Sequence, residues 1–177
     1  MRGQLKDIIA PLVITILILL FLEVISSALF PVIGINQYRL PFHILIVLFL
    51  GFKIENPYLA IPIFVIQYFH SFFSIEGWEM GTIAGVVICF VISYVRDLIH
   101  FSSIGATMII TQIFQVVWLT IVSSVLYLKT ENASYIIEKF WRFLPESVII
   151  SVIAPFAFVI LEKVWNRKEG GLLRNEG

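Results

Sequence analysis

The sequence predicts an all-α integral membrane protein, with six transmembrane helices in one bundle and a short interfacial helix between spans five and six. Three observations predict it. Hydrophobic residues make up 59% of the 177 residues and charged residues only 14%, against about 45–50% and about 25% in an ordinary soluble domain. Mean hydropathy is +0.97. The apolar residues fall in long continuous runs, not in the two-residue alternation of a membrane β-barrel. A spanning helix takes about 20 residues, so this length holds six spans with short loops and no separate soluble domain.

The first span is placed at residues 8–30, after a basic start with Arg2 and Lys6. The same stretch fits a cleavable signal peptide, with Ser26 and Ala28 as the small residues at a cleavage site. Five further spans need an odd partner to bring both ends to one side, which favours retention of the first. The second span, 41–52, opens on Pro41 and closes on Lys53; the third, 57–73, opens on Pro57 and carries Gln67, Tyr68 and His70. Proline suits the first turn of a helix, where its missing N–H has no partner to lose. The fourth span is 81–95, closed by Arg96 and Asp97; the fifth is 106–128, with Gln112 and Gln115; the sixth is 147–161, with Pro155 inside it.

Charge sets the orientation. With the N-terminus inside, the inner segments hold Arg2, Lys6, Lys53, Arg96, Lys163, Arg167, Lys168 and Arg174, and the outer ones only Arg39, Lys129, Lys139 and Arg142. That asymmetry obeys the positive-inside rule and puts both termini in the cytoplasm. Between Thr130 and Pro145, Tyr135, Ile136, Phe140 and Phe143 recur at helical spacing, with Glu138, Lys139 and Arg142 on other faces. Such a pattern predicts a helix lying on the outer membrane surface. It reads first as an amphipathic connector and second as a substrate lid.

The sequence offers little for catalysis. It has no G-x-S-x-G, P-loop or G-x-G-x-x-G, and His43, His70 and His100 form no i, i+4 metal pair. Asp97 and His100 read as a helix-boundary turn, and no cofactor is implied. Net charge is zero without a basic tract, so nucleic acid has no electrostatic footprint. Cys89, the single cysteine, lies in an apolar run and reads as a packed small hydrophobe.

Polar residues inside the spans carry more information, because an ionisable group in hydrocarbon is costly and usually faces a partner or cavity. Glu23 lies about 22 Å beyond the start of span one and His70 about 20 Å beyond Pro57, at 1.5 Å per residue. Both spans run outward, so the two side chains reach similar depth and can touch; separate snorkelling to the headgroups is the alternative. Gln67, Gln112 and Gln115 can hydrogen-bond between helices. Gly81 and Gly85 form a G-x-x-x-G that lets a neighbour approach. Thr107, Thr111 and Gln115 line one helix side at four-residue spacing, a stripe fit for a bundle interior or a partner groove.

The order of these features resembles the bacterial rod shape-determining protein MreD family over nearly the whole chain. The matching features are a polar residue late in span one (Glu23) and a proline opening the second apolar stretch (Pro41 to Gly51). Span three ends in Gln67-Tyr68-Phe69-His70-Ser71-Phe72-Phe73-Ser74, with Gly81 following. The last span has Pro155 before an apolar run and the basic residue Lys163. The family's aspartate falls on Ser71 and its first glycine on Gln67; a second register places that aspartate on Asp97, with less chain left for the remaining spans. The resemblance implies a non-enzymatic scaffold of the bacterial cytoplasmic (inner) membrane. It would bind an MreC-like membrane protein and, through it, an MreB-like filament and cell-wall synthases. Trp141, in the outer amphipathic segment, would be an aromatic anchor for that partner. The six-span shape also resembles the substrate-binding subunits of energy-coupling-factor vitamin transporters, which implies instead a ligand pocket near the outer face.

Reporter fusions test the topology. A reporter at Gly77 is expected outside and one at the C-terminus inside; matching sides would refute the six-span, both-ends-in arrangement.

Overall fold

A computed structural model describes residues 2–32, 34, 38–54, 59–74, 77–96 and 103–165, with side chains described from Ile8 onward. The described residues form six α-helices: α1 (Arg2–Val32), α2 (Phe42–Lys53), α3 (Ala60–Ser71), α4 (Gly77–Val95), α5 (Ile104–Thr130) and α6 (Ala133–Trp165). None of them is in a strand. Four segments are long and apolar enough to cross a membrane: Ile8–Val32, Gly77–Val95, Ile104–Thr130 and Ala133–Trp165. The other two helices, α2 and α3, have 12 residues each, about 18 Å of rise. Pro57, the expected start of span three, and the Asp97–His100 turn lie outside the described residues.

Helix α2 occupies the centre. Every residue from Phe42 to Gly51 is buried, as expected of a helix that is apolar on all sides. Its far end is closed by Arg96, whose Nη2 donates to the carbonyls of Gly51 (2.7 Å) and Ile54 (3.0 Å). Glycines let α4 lie close. A Cβ on Gly51 would stand 2.9 Å from Cys89 Sγ, and one on Gly85 would stand 2.7 Å from Ile63 Cγ2 of α3. A Cβ on Gly81 would overlap the Gln67 amide. The G-x-x-x-G therefore serves packing inside the bundle.

The long helices are tied by polar bonds at several levels. Thr15 of α1 donates to the Pro11 carbonyl (2.8 Å) and accepts from Trp165 Nε1 of α6 (3.1 Å). On α5, Gln112 donates to Ser147 Oγ (2.9 Å) and accepts from Ser151 (2.8 Å). Gln115 donates to the Ser147 carbonyl (3.2 Å) and to Ser151 Oγ (2.9 Å). Toward the α5–α6 turn, Lys129 pairs with Glu79 of α4 at 3.0 Å, an exposed contact that contributes little.

One expectation is corrected. No separate interfacial helix lies between spans five and six, because residues 133–165 form one helix with Pro145 and Pro155 inside it. The chain breaks earlier: Glu131 adopts a left-handed conformation (φ 51°), and Asn132 Oδ1 accepts the Tyr135 N–H at 3.2 Å. Those two residues make the whole α5–α6 turn. A proline inside a helix forfeits one backbone bond, a loss that membrane helices tolerate when neighbours re-satisfy the freed group.

The glycine contacts predict a stability difference. Gly85→Val drives a branched side chain into Ile63, Val47 and Trp118, and is expected to destabilise the protein by about 1–3 kcal/mol. Gly105→Ala, with nothing within 4 Å, should leave the thermal midpoint in detergent unchanged.

Candidate polar site at the end of the bundle

Three helix ends meet at one level. Helix α1 delivers Glu23 about two and a half turns before its end, α2 delivers His43 in its first turn, and α3 delivers His70 in its last. Glu23 and His70 meet directly, with Oε1 and Nδ1 2.8 Å apart and the side chains 7% and 15% exposed. The depth argument from sequence allows this contact, and the structure makes it. The ring of His43 stacks on that of His70, centroids 3.6 Å apart at 23°, and meets Trp118 of α5 edge-on at 5.7 Å. His43 is 9% exposed, and its Nδ1 is buried without a hydrogen-bond partner.

These residues line a cavity of about 290 Å³. Its wall is completed by Arg39, which precedes α2, and by Lys139, Arg142, Phe143 and Glu146 on α6. The Arg39 N–H donates to Glu146 Oε1 at 2.8 Å, and its guanidinium donates to the Phe73 carbonyl past the end of α3. Arg39 thus bridges α6 to α3 across the rim. Polar side chains of both signs face the cavity, with Glu23 and Glu146 set against Arg39, Lys139 and Arg142.

One ring nitrogen of each histidine and one carboxylate oxygen of Glu23 lie within 4.8 Å of one another. Two imidazoles and a carboxylate converging at the edge of a cavity can hold a metal ion or a proton.

Of the six residues singled out from the sequence, the structure brings only Glu23 and His70 into this site. Gln67 is buried one turn earlier on α3 against Gly81, and its Nε2 has no hydrogen-bond partner. Gln112 and Gln115 join α5 to α6. Gln115 is 0% exposed, which settles the stripe of Thr107, Thr111 and Gln115 as bundle interior, since all three are buried. Trp141 is 68% exposed on the outside of α6. Sequence reasoning missed His43, Arg39 and Glu146. The available signal was His43 itself, the one polar side chain in the otherwise apolar run 42–51. Separation along the chain hid its nearness to His70.

Comparison with known protein families, with curated proteins and with solved structures gives no match to this chain.

The Glu23–His70 pair predicts an ordered response to substitution. Glu23→Leu removes the buried charge and leaves one imidazole nitrogen without its partner, a cost of about 1–3 kcal/mol. Glu23→Lys sets a buried cation against His43 and His70 and should cost about 3–5 kcal/mol or more. Thermal melting in detergent and protein level in membranes read the difference; equal losses would show that the pair does not hold Glu23 in place.

Proposed function

We propose that this chain is a non-enzymatic scaffold of the bacterial cytoplasmic membrane, crossing it six times with both termini inside. In this reading it plays a role like that of MreD. It binds an MreC-like single-pass partner and, through it, an MreB-like filament and cell-wall synthases.

The observation that carries the reading is an open groove of about 650 Å³ between α5 and α6, beside the turn that joins them. Small residues Thr120, Ser123, Ser124 and Ala133 line it, between larger ones that include Tyr127, Ile137 and Phe140. Helices in lipid associate through close approach at small residues and not through hydrophobicity, so a partner's membrane helix fits this surface. Exposed Trp141 lies next to the groove residue Phe140, ring centroids 6.1 Å apart, and belongs to a residue class that anchors interfaces. Small residues facing outward distinguish this groove from the buried Thr107–Gln115 stripe, which no partner reaches.

A second reading, the substrate-binding subunit of a vitamin transporter, is favoured by the end cavity. Its polar lining is richer than the sequence suggested, because Arg39, Lys139, Arg142 and Glu146 all contribute. Its volume of about 290 Å³ lies at the bottom of the range of about 300–1,000 Å³ usual for small-molecule sites. Several of its polar groups already bond to one another. Those facts suit an ion or a few waters better than a vitamin. Near-stoichiometric co-purification of a vitamin would overturn the scaffold reading in favour of this one.

Partner capture is the direct test. Ser124→Leu, which fills the groove, and Trp141→Ala, which removes the anchor, are expected to reduce co-precipitation of an MreC-like protein from membranes. The reduction should be about tenfold, the usual consequence of losing an interface hot spot, with total protein unchanged by immunoblot. Gln115→Leu should act on stability instead. Unchanged capture by both groove variants would remove the support for this surface.

A further inference from the structure

The end cavity contains a group that internal bonding does not explain. Glu23 and His70 satisfy one another at 2.8 Å, but the Nδ1 of His43, a side chain about nine-tenths buried, has no partner. Buried polar atoms in native proteins are overwhelmingly bonded, and an exception calls for a cause. His43 lines the cavity and lies face to face with His70.

We propose that Glu23, His43 and His70 form a binding site for one divalent transition-metal ion of the zinc class, with a fourth coordination position open to the cavity. The donor set is that of a two-histidine, one-carboxylate site, in which three protein ligands leave room for water or an anion. Zinc bonds to imidazole nitrogen and carboxylate oxygen are about 2.0–2.2 Å long, so tetrahedral ligands stand about 3.4 Å apart. The three ligand atoms already lie within 4.8 Å of one another. The two imidazoles are stacked at 3.6 Å, and because imidazole lone pairs lie in the ring planes, ion binding requires the rings to turn out of this stack until both nitrogens point at the ion.

The surroundings select the ion. Magnesium and calcium take about six to eight oxygen ligands, and this cluster supplies a single carboxylate. Arg39, Lys139 and Arg142 on the cavity wall oppose a cation held by charge alone. An ion held by coordinate bonds to neutral imidazoles is less affected, and imidazole is a preferred ligand of zinc, cobalt, nickel and copper. The same cations favour a negative occupant, such as hydroxide or chloride, at the fourth position. The ligands come from α1, α2 and α3, so the ion fastens three helix ends together. This site does not depend on which functional reading holds, since neither supplies or requires the metal.

The test uses the full-length protein in detergent, carried on a tag without histidine and stripped by a chelator. Titration with Co²⁺ is expected to give one equivalent with the intense visible absorption of a four-coordinate ion, displaced by Zn²⁺. His43→Gln and His70→Gln are expected to weaken binding by at least about 100-fold and Glu23→Gln by at least about tenfold, since even outer-shell changes cost about 10–100-fold. Glu146→Gln, on the cavity wall outside the three ligands, should keep the four-coordinate spectrum. No saturable equivalent in the wild type, or undiminished binding in folded ligand variants, overturns the site. Should a variant fail to fold, X-ray absorption of the zinc-loaded wild type decides. A shell of imidazole nitrogen with oxygen supports the assignment, and a sulfur or all-oxygen shell refutes it.

Discussion

A helix that ends inside the bundle organises this molecule. With 12 residues, α2 rises only about 18 Å, so across a hydrocarbon layer about 30 Å thick the chain flanking the helix has to complete any crossing. It is also buried on every side. Backbone groups at a helix end have no partner within the helix, and hydrocarbon offers none. The protein must therefore bring polar groups to both ends of α2. At the C-terminal end, one guanidinium from Arg96 takes two carbonyls. At the N-terminal end, the turn before the helix closes on itself through Phe42 to the Leu40 carbonyl and Ile44 to the Pro41 carbonyl. Around that turn gather Arg39, Glu146, His43, His70 and Glu23. The polar site lies where the central helix stops.

The longer helices are arranged to permit this. Gly51 against Cys89, and Gly85 against Ile63 and Val47, bring α4 close to α2 and α3. On the other side, α5 and α6 clasp through two glutamines and two serines. Each such bond contributes little in a membrane, averaging about 0.6 kcal/mol where measured, but four at successive turns fix the register of the two helices. That register sets Trp118 of α5 against His43 and places Glu146 of α6 where the Arg39 backbone can reach it. The apolar faces that remain, such as Val13, Leu17, Phe21 and Val24 on α1, suit lipid contact.

Much of this was legible in the sequence, for reasons that can be traced. The apolar runs located all six helices because hydrophobicity is continuous both along the buried α2 and along the longer helices. Glu23 and His70 could be paired by arithmetic because both lie late in their apolar runs and a helix rises by a fixed amount per residue. His43 defeated the same reasoning: it was judged by its distance along the chain, whereas α2 starts at the level where α1 and α3 carry Glu23 and His70. The boundary before span six was misplaced because the amphipathic stretch up to Pro145 read as a separate surface helix, while the true break is a left-handed glutamate and an asparagine cap at 131–132. Gln115 was equally consistent with a buried contact or a partner contact. Only the position of Ser147 and Ser151 decides between them.

The amphipathic segment that opens α6 acquires a different meaning once it is seen as part of a long helix. Tyr135, Lys139, Arg142 and Glu146 follow at helical spacing and line the end cavity. Ile136, Ile137 and Phe140 occupy a second face and line the α5–α6 groove. Trp141 stands outside both. The charges that suggest an interfacial helix are thus directed in part toward other helices, and the same two turns of chain form the wall of a polar cavity and the wall of an apolar groove. Residues 133–146 are held to α5 by the two-residue turn at one end and by the glutamine–serine bonds at the other. The two surfaces are chemically unlike, but one stretch of helix forms a wall of each.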